Sequence, residues 1–193
     1  MSTSRGAPVS TSRVAVIGVG NEYRRDDGVG AAVIAYLQLH DVPDVEFTVA
    51  DGEPSQLIEA WSGARLAVVV DAVLCEPPNP GRIHRTSLEA MPSGAGIAST
   101  HGLGIPDAMR LAEVLDRAPR RLVVYAVEAA DLGFGVGLSP ALDGVIPKLA
   151  SAILTEVTEV TEVTADAAQV LEVTAVADTS SAASKSSPLP SNS

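Results

Sequence analysis

The sequence contains a single cysteine, Cys75, in 193 residues. One cysteine excludes an internal disulfide and a metal cluster built on several thiolates, and it favours a reducing, cytoplasmic location. Long apolar runs are also absent, since none approaches the roughly 20 residues that a membrane-spanning helix requires. The N-terminal segment lacks the apolar core of a signal peptide. We therefore expect a soluble, cytoplasmic protein with no membrane partner.

Basic residues are scarce, with 13 Lys and Arg against 24 Asp and Glu and a formal net charge of −11. This balance argues against a nucleic-acid partner or an anionic membrane surface. The length and a hydrophobic content of 46% suit one domain with a sizeable core. We place that domain at residues 13–154. Residues 1–12 are predicted to be a disordered lead-in, and residues 155–193 a low-complexity, acidic, Ser/Pro-rich tail.

Apolar β-branched runs alternate with segments of helical spacing, a pattern that predicts an α/β fold. Two of these runs, 14–17 and 67–70, are continuously apolar, as is typical of strands in a parallel sheet covered on both faces. The predicted strands are 13–18, 45–50, 66–71, 82–85 (an edge strand) and 121–127, and the predicted helices are 29–39, 54–61, 107–115 and 139–154. Residues 92–100 are predicted to form a loop. We expect the strand order 2-1-3-4 for the four parallel strands.

The stretch 14–30 resembles a nucleotide-binding loop, because a strand ends in the glycines Gly18 and Gly20 just before a helix. However, Tyr23 stands where a dinucleotide fingerprint needs a third small residue. The acids Asp26 and Asp27 supply negative charge at a helix start that would otherwise attract phosphate. This loop is therefore expected to face a cation rather than a nucleotide, which excludes a nucleotide-dependent oxidoreductase.

Three residues of metal-ligand type fall at strand ends or in a glycine-flanked loop, namely Asp27, Asp71 and His101. In the expected strand order, the ends of strands 1 and 3 border the crevice where α/β sheets bind ligands. Two carboxylates and one imidazole suit nickel, zinc or cobalt with open coordination positions.

Each of these residues also has a purely structural interpretation. Asp26 or Asp27 could serve as a helix cap, Asp71 could bind loop amides, and His101 could be an ordinary loop histidine. His40 and His84 are interpreted as structural. No histidine context marks Cys75 as a nucleophile.

Taken together, the motifs resemble the hydrogenase maturation endopeptidases. They are Gly18-Val-Gly-Asn21, Asp26-Asp27-Gly28-Val-Gly30, Val70-Asp71-Ala72, Ser99-Thr-His101 and Glu128 followed by Gly137-Leu-Ser-Pro140. The resemblance covers about residues 13–153. It implies a single three-layer α/β domain of the phosphorylase/hydrolase-like type, with a mostly parallel twisted sheet flanked by helices.

The resemblance also implies an activity, which is removal of the C-terminal extension from the nickel-iron hydrogenase large-subunit precursor after nickel insertion. Asp27, Asp71 and His101 fall on the family's metal-binding positions, and Asp27 and Asp71 are the candidate catalytic residues of this aspartic-type peptidase. No intrinsic cofactor is expected, because the nickel is carried by the substrate, although other divalent ions suit the same ligands. The alternative is a non-catalytic, nickel-sensing accessory module that docks on the large subunit.

Overall fold

The computed structural model describes residues 13–87, 97–99 and 104–161. Its strands are β1 (Val14–Val19), β2 (Val45–Ala50), β3 (Leu66–Cys75), β4 (Ile83–Ser87), β5 (Ile97–Ser99) and β6 (Arg121–Glu128). Its helices are α1 (Val29–Leu37), α2 (Pro54–Trp61), α3 (Gly104–Val114), α4 (Pro140–Asp143) and α5 (146–161), with a 3-10 turn at Arg25–Gly28.

The strands form one sheet in the order β2-β1-β3-β6-β4, with β5 attached to the far end of β3. Strands β2, β1, β3 and β6 are parallel, whereas β4 and β5 pair antiparallel. The predicted order of the four parallel strands and the predicted edge strand are confirmed. Because parallel strands end at one edge, residues that follow β1 and residues late in β3 and β6 come together there.

Helices cover both faces of the sheet. On one face, α2 and α3 pack on Ile17, Val69 and Val124, which are buried together with Trp61 and Ile105. Asp71 lies on this same face, because side chains alternate along a strand and Val69 is two residues earlier.

On the opposite face, α1 crosses β1 where Gly30 meets Gly18, and Glu156 of α5 accepts a hydrogen bond from Tyr125 of β6. The result is the predicted α/β domain of three layers.

Three predicted elements need correction. The strand predicted to end at Asp71 continues to Cys75, because β5 pairs with residues 73–75 and supplies hydrogen bonds there. That strand β5 also replaces part of the loop predicted at 92–100, whose other residues lie outside the described ones. The helix predicted at 139–154 is interrupted at residues 144–145. The interruption arises because Pro147 has no N–H to donate to the carbonyl of Asp143.

Among the described residues, no helix is both long and apolar enough to cross a membrane. The chain divides into a unit that ends at Val157 and a second unit from Thr158, of which residues 158–161 are described and helical. The helix thus runs past the domain boundary predicted at 154. The lead-in 1–12 and the tail beyond 161 lie outside the described residues.

Candidate functional site

The glycines of the loop after β1 are required by close backbone contacts. A Cβ atom on Gly18 would lie 2.3 Å from the carbonyl oxygen of Gly30, and one on Gly30 would lie 2.6 Å from the amide nitrogen of Val19. Gly20 has a φ of +131°, and a Cβ there would lie 1.8 Å from the carbonyl oxygen of Asp27. The glycine pattern therefore lets α1 pack directly on β1 and folds the loop back onto Asp27.

Asp26 is buried, and its carboxylate holds both ends of the loop between β6 and α4. Its Oδ2 accepts hydrogen bonds from the amides of Ala130 (2.8 Å) and Asp131 (3.1 Å) and from the Ser139 hydroxyl (3.0 Å). Its Oδ1 accepts from the Ser139 amide at 2.6 Å. Burial by itself raises the pKa of the Asp26 carboxyl, but these amide and hydroxyl donors outweigh it and lower the pKa below its ordinary value. Asp26 is thus a structural anchor.

Asp27 is fully buried in the next position of the same 3-10 turn. Its Oδ2 accepts a hydrogen bond from the Asn21 amide at 3.0 Å, and Nη1 of Arg24 lies 3.9 Å from the same oxygen. The Asn21 side chain in turn accepts from the amide of Tyr23, which holds the loop in a turn. The loop 20–27 therefore orients this carboxylate through a neutral backbone donor.

Asp71 is also buried, with an exposed fraction of 2%. It lies inside β3 rather than at its end, alongside Ala126 of β6 and just past the last residue of β3 that pairs with β1. Cα atoms of the 3-10 turn come within 8 Å of Cα atoms of β3. The structure therefore brings the element that carries Asp27 next to the strand that carries Asp71.

His101 lies outside the described residues, between two segments that the structure describes. On one side Ser99 pairs with Val73, two residues beyond Asp71 on β3. On the other side α3 begins at Gly104, where a Cβ would lie 2.5 Å from the carbonyl oxygen of Gly52. The prediction that His101 shares an ion with the two aspartates stays a prediction.

Two parts of the site were not recognised from the sequence. The amide of Asn21 orients Asp27, and Ser139 holds Asp26 through both its amide and its hydroxyl. The motif Gly137-Leu-Ser-Pro140 was noted for its resemblance alone. Its serine is separated from Asp26 by more than a hundred residues, so no local pattern could have linked the two.

Comparisons with known proteins agree with this architecture. A family model described as hydrogenase maturation protease matches residues 31–156. The hydrogenase expression/formation protein HupD of Bradyrhizobium diazoefficiens is 30% identical over 154 residues, which cover 75% of this chain and 79% of that protein. The hydrogenase 2 maturation protease of Escherichia coli is 24% identical over 145 residues, which cover 74% of this chain and 88% of that protein.

Solved structures show the same fold. The hydrogenase maturating endopeptidase HYBD from Escherichia coli superposes with a TM-score of 0.65 at 22% identity, over 76% of this chain and 93% of that chain. The [NiFe] hydrogenase maturation protease HybD from Thermococcus kodakarensis gives a TM-score of 0.62 at 24% identity, over 75% of this chain and 99% of that chain.

Proposed function

The chain belongs to the hydrogenase maturation protease family, and we propose that it is the endopeptidase that removes the C-terminal extension of a nickel-iron hydrogenase large-subunit precursor after nickel insertion. The observation that carries this proposal is the pair of buried aspartates, Asp27 and Asp71, on adjoining elements at the carboxyl edge of the sheet. Buried acids at the edge where α/β sheets bind ligands are typical of functional sites, and carboxylate oxygens are ligands for divalent cations.

We assign His101 as the third ligand, and the pairing of β5 with β3 supports this assignment. In that pairing Ile97, Ala98 and Ser99 stand opposite Cys75, Leu74 and Val73. Ser99, the last described residue of β5, pairs with Val73, which is two residues beyond Asp71, and His101 follows Ser99 by two residues in the sequence. The face of the sheet that carries Asp71 is the one on which α3 packs, and α3 begins at Gly104, three residues after His101.

The metal in this scheme is part of the substrate, and the protein contributes no resident cofactor. Asp27, Asp71 and His101 complete the coordination of the nickel that the precursor already holds, so a precursor without nickel docks poorly. Two carboxylate oxygens and one imidazole nitrogen suit this borderline divalent ion and leave positions for the substrate's own ligands. Recognition of the ion thereby becomes a check that the metal has been inserted.

Peptide cleavage follows from the same ligand set. The nickel polarises the nearby scissile carbonyl and lowers the pKa of a bound water. Asp27 acts as the general base that takes the proton from the attacking water, while Asp71 holds the ion in position. The aspartic-type assignment refers to these two acids, Asp27 and Asp71, and the sole cysteine and acidic charge fit a cytoplasmic protein that acts on a protein substrate.

The loops beside Asp27 offer a surface for the precursor. Tyr23, Phe134 and Val136 are exposed by 64%, 90% and 77%. The two loops are joined by a β-bridge between Arg24 and Gly135. Exposed apolar side chains beside a buried polar site are typical of protein-binding surfaces, and the precursor is the partner that we assign to them.

The test is to mix the purified protein with a nickel-loaded large-subunit precursor and to measure intact masses. We expect a product shortened at its C-terminus with wild type and with Asp44→Asn, but not with Asp71→Asn. Asp44 is an exposed acid at the opposite edge of the sheet with a φ of 59°, a conformation that asparagine tolerates, so it is a matched control. Stable binding of the precursor without cleavage would contradict the protease and would favour the accessory module.

A further inference from the structure

A second group of ligand-type side chains lies further along the same edge of the sheet. Cys75 ends β3, His84 lies in β4 and Glu128 ends β6. One ligand atom from each residue lies within 4.8 Å of the other two. Among the residues that the structure describes, no other group of three Cys, His, Asp or Glu residues meets this spacing.

The sheet register explains why these three residues meet. Glu128 pairs with Val73 across β6 and β3, and His84 pairs with Ala126 across β4 and β6. Since residues two apart on a strand share a face, Cys75, His84 and Glu128 all lie on one face of the sheet. Three strands therefore hold the group, which limits how far any one side chain can move away from the others.

Glu128 is the buried centre of the group, with an exposed fraction of 3%. Its Oε1 accepts a hydrogen bond from Nε2 of His84 at 2.6 Å, and its Oε2 accepts from the amide of Asn79 at 2.8 Å. Burial raises the pKa of Glu128, but the His84 and Asn79 hydrogen bonds outweigh it and lower the pKa. Burial and the Glu128 charge raise the pKa of the Cys75 thiol, which is therefore protonated at neutral pH.

A purely structural interpretation explains only part of this arrangement. Hydrogen bonds to Glu128 from His84 and from the Cys75 thiol tie β4 and β3 to β6. Cys75 is partly exposed at the end of its strand, and its sulfur nevertheless lies within 4.8 Å of both partners. Thiolate, imidazole and carboxylate together form a donor set that zinc, nickel and cobalt prefer.

We propose that Cys75, His84 and Glu128 form a second metal site, selective for a borderline divalent ion such as zinc, nickel or cobalt. Binding replaces the hydrogen bond between His84 and Glu128 with bonds from each residue to the ion. The thiol proton of Cys75 is released to solvent, and His84 binds as the neutral imidazole that carries its proton on the ring nitrogen not bound to the ion. A fourth position is left for water or an external ligand.

This site is distinct from the one assigned to Asp27, Asp71 and His101. Cys75 lies four residues beyond Asp71 on one strand, a separation of about 13 Å at the usual rise per residue. Two ions that act on one reacting bond lie only about 4 Å apart. The two sites therefore bind separate ions, and the second site does not depend on the proposed function of the first.

The test is a cobalt titration of the full chain, followed by absorption spectroscopy under reducing conditions. Because Cys75 is the only cysteine, any thiolate-to-cobalt charge-transfer band reports on this site alone. We expect a saturable band with one ion per chain in wild type and in Asp71→Asn. The band should disappear in Cys75→Ser, and His84→Ala should raise the cobalt Kd by at least about 10-fold.

His40→Ala is the matched control, because His40 is exposed and its ring contacts only the Tyr36 carbonyl and ring among the contacts described. It should bind cobalt as wild type does. Circular dichroism of Cys75→Ser and Cys75→Ala establishes that a lost band does not reflect unfolding. The absence of a thiolate band in folded wild type at saturating cobalt would overturn the proposal, as would an unchanged Kd in His84→Ala.

Discussion

Buried carboxylates are compensated differently in two regions of this molecule. On the α5 side of β6, Glu156 is bound by two arginines, with Arg85 at 2.5 Å and Arg121 at 2.8 Å, and by the Tyr125 hydroxyl. At the carboxyl edge of the sheet, the four hydrogen bonds described for Asp26 come from amides and a hydroxyl, whereas Asp27 accepts one from the Asn21 amide and has Nη1 of Arg24 at 3.9 Å.

This difference indicates that the Glu156 network stabilises the fold, whereas the edge that carries Asp27 and Asp71 is the proposed binding site. The positive charges around Glu156 balance its negative charge within the protein, so this network holds β4, β6 and α5 together. The hydrogen bonds described for Asp26 and Asp27 come from neutral groups, and the cation described beside Asp27, Arg24, lies at 3.9 Å and is about one-third exposed, so this ion pair is longer than those of Glu156. The proposed binding of the substrate's nickel assigns a further cation to this edge.

The largest effect is expected for Asp71→Asn, which removes one charge from the site. Cleavage of nickel-loaded precursor should fall by about 100-fold or more, equivalent to about 2.7 kcal/mol of transition-state stabilisation. His101→Ala removes a neutral ligand and should cost less. Because asparagine is nearly the same size and keeps one oxygen as an acceptor, the free energy of unfolding of Asp71→Asn should fall by no more than about 1–2 kcal/mol, which is less than the loss in catalysis.

Cleavage rates and urea unfolding curves for Asp71→Asn and His101→Ala test whether the aspartate change costs more cleavage than the histidine change. Unimpaired cleavage by Asp71→Asn would contradict the assignment of this residue. Equal losses of cleavage and stability would indicate a structural role for Asp71.

Glu156→Gln is expected to lower stability and to leave cleavage unchanged. Removing one partner from a buried ion network is costly, but Arg85 and Arg121 are nearly half exposed and are partly solvated, so we expect a loss of about 2 kcal/mol in unfolding free energy. Cleavage per folded molecule should be unchanged. Glu159→Gln, an exposed change on the same helix, is the control and should have almost no effect. A cleavage defect in folded Glu156→Gln would remove the distinction between the two regions.

The extent to which the sequence predicts this structure depends on how local each signal is. The bounds of β2 and α2 agree with the prediction because their signals are local, including Pro54 at the helix start. The extension of β3 to Cys75 depends on β5, which is more than twenty residues away. The local sequence does not show which of Asp26 and Asp27 is the structural acid, because the partners of Asp26 lie in the loop at 130–139.

Asp26→Asn should lower the free energy of unfolding by less than Glu156→Gln does. We expect its main effect to be on stability. The asparagine amide would place an N–H group against N–H donors from Ala130, Asp131 or Ser139, at a cost of about 1–2 kcal/mol. Calorimetric melting of Asp26→Asn and Asp27→Asn provides the comparison, in which Asp26→Asn should melt lower. A higher melting temperature for Asp26→Asn than for Asp27→Asn would show that Asp26 is not the anchor.

Lowering the pH should gradually reduce the stability that the Asp26 and Glu156 carboxylates contribute. The pKa values of Asp26 and Glu156 are lower in the folded protein than in the unfolded chain. Their stabilisation is therefore fully present above the unfolded values of 3.8 and 4.5, and it is lost as pH falls through the folded values. Urea unfolding at several pH values between about 3 and 7 should show this decline, with a shallower slope in Glu156→Gln. An equal slope in wild type and Glu156→Gln would contradict the assignment to Glu156.

The most direct test of the central claim is the ratio of two cleavage rates, one for nickel-loaded precursor and one for the same precursor without nickel. If Asp27, Asp71 and His101 recognise the ion, wild type should cleave the nickel-loaded form far faster, and Asp71→Asn should bring the ratio close to one. Equal cleavage of both forms by the wild-type protein would contradict the claim that this edge of the sheet recognises the substrate's metal.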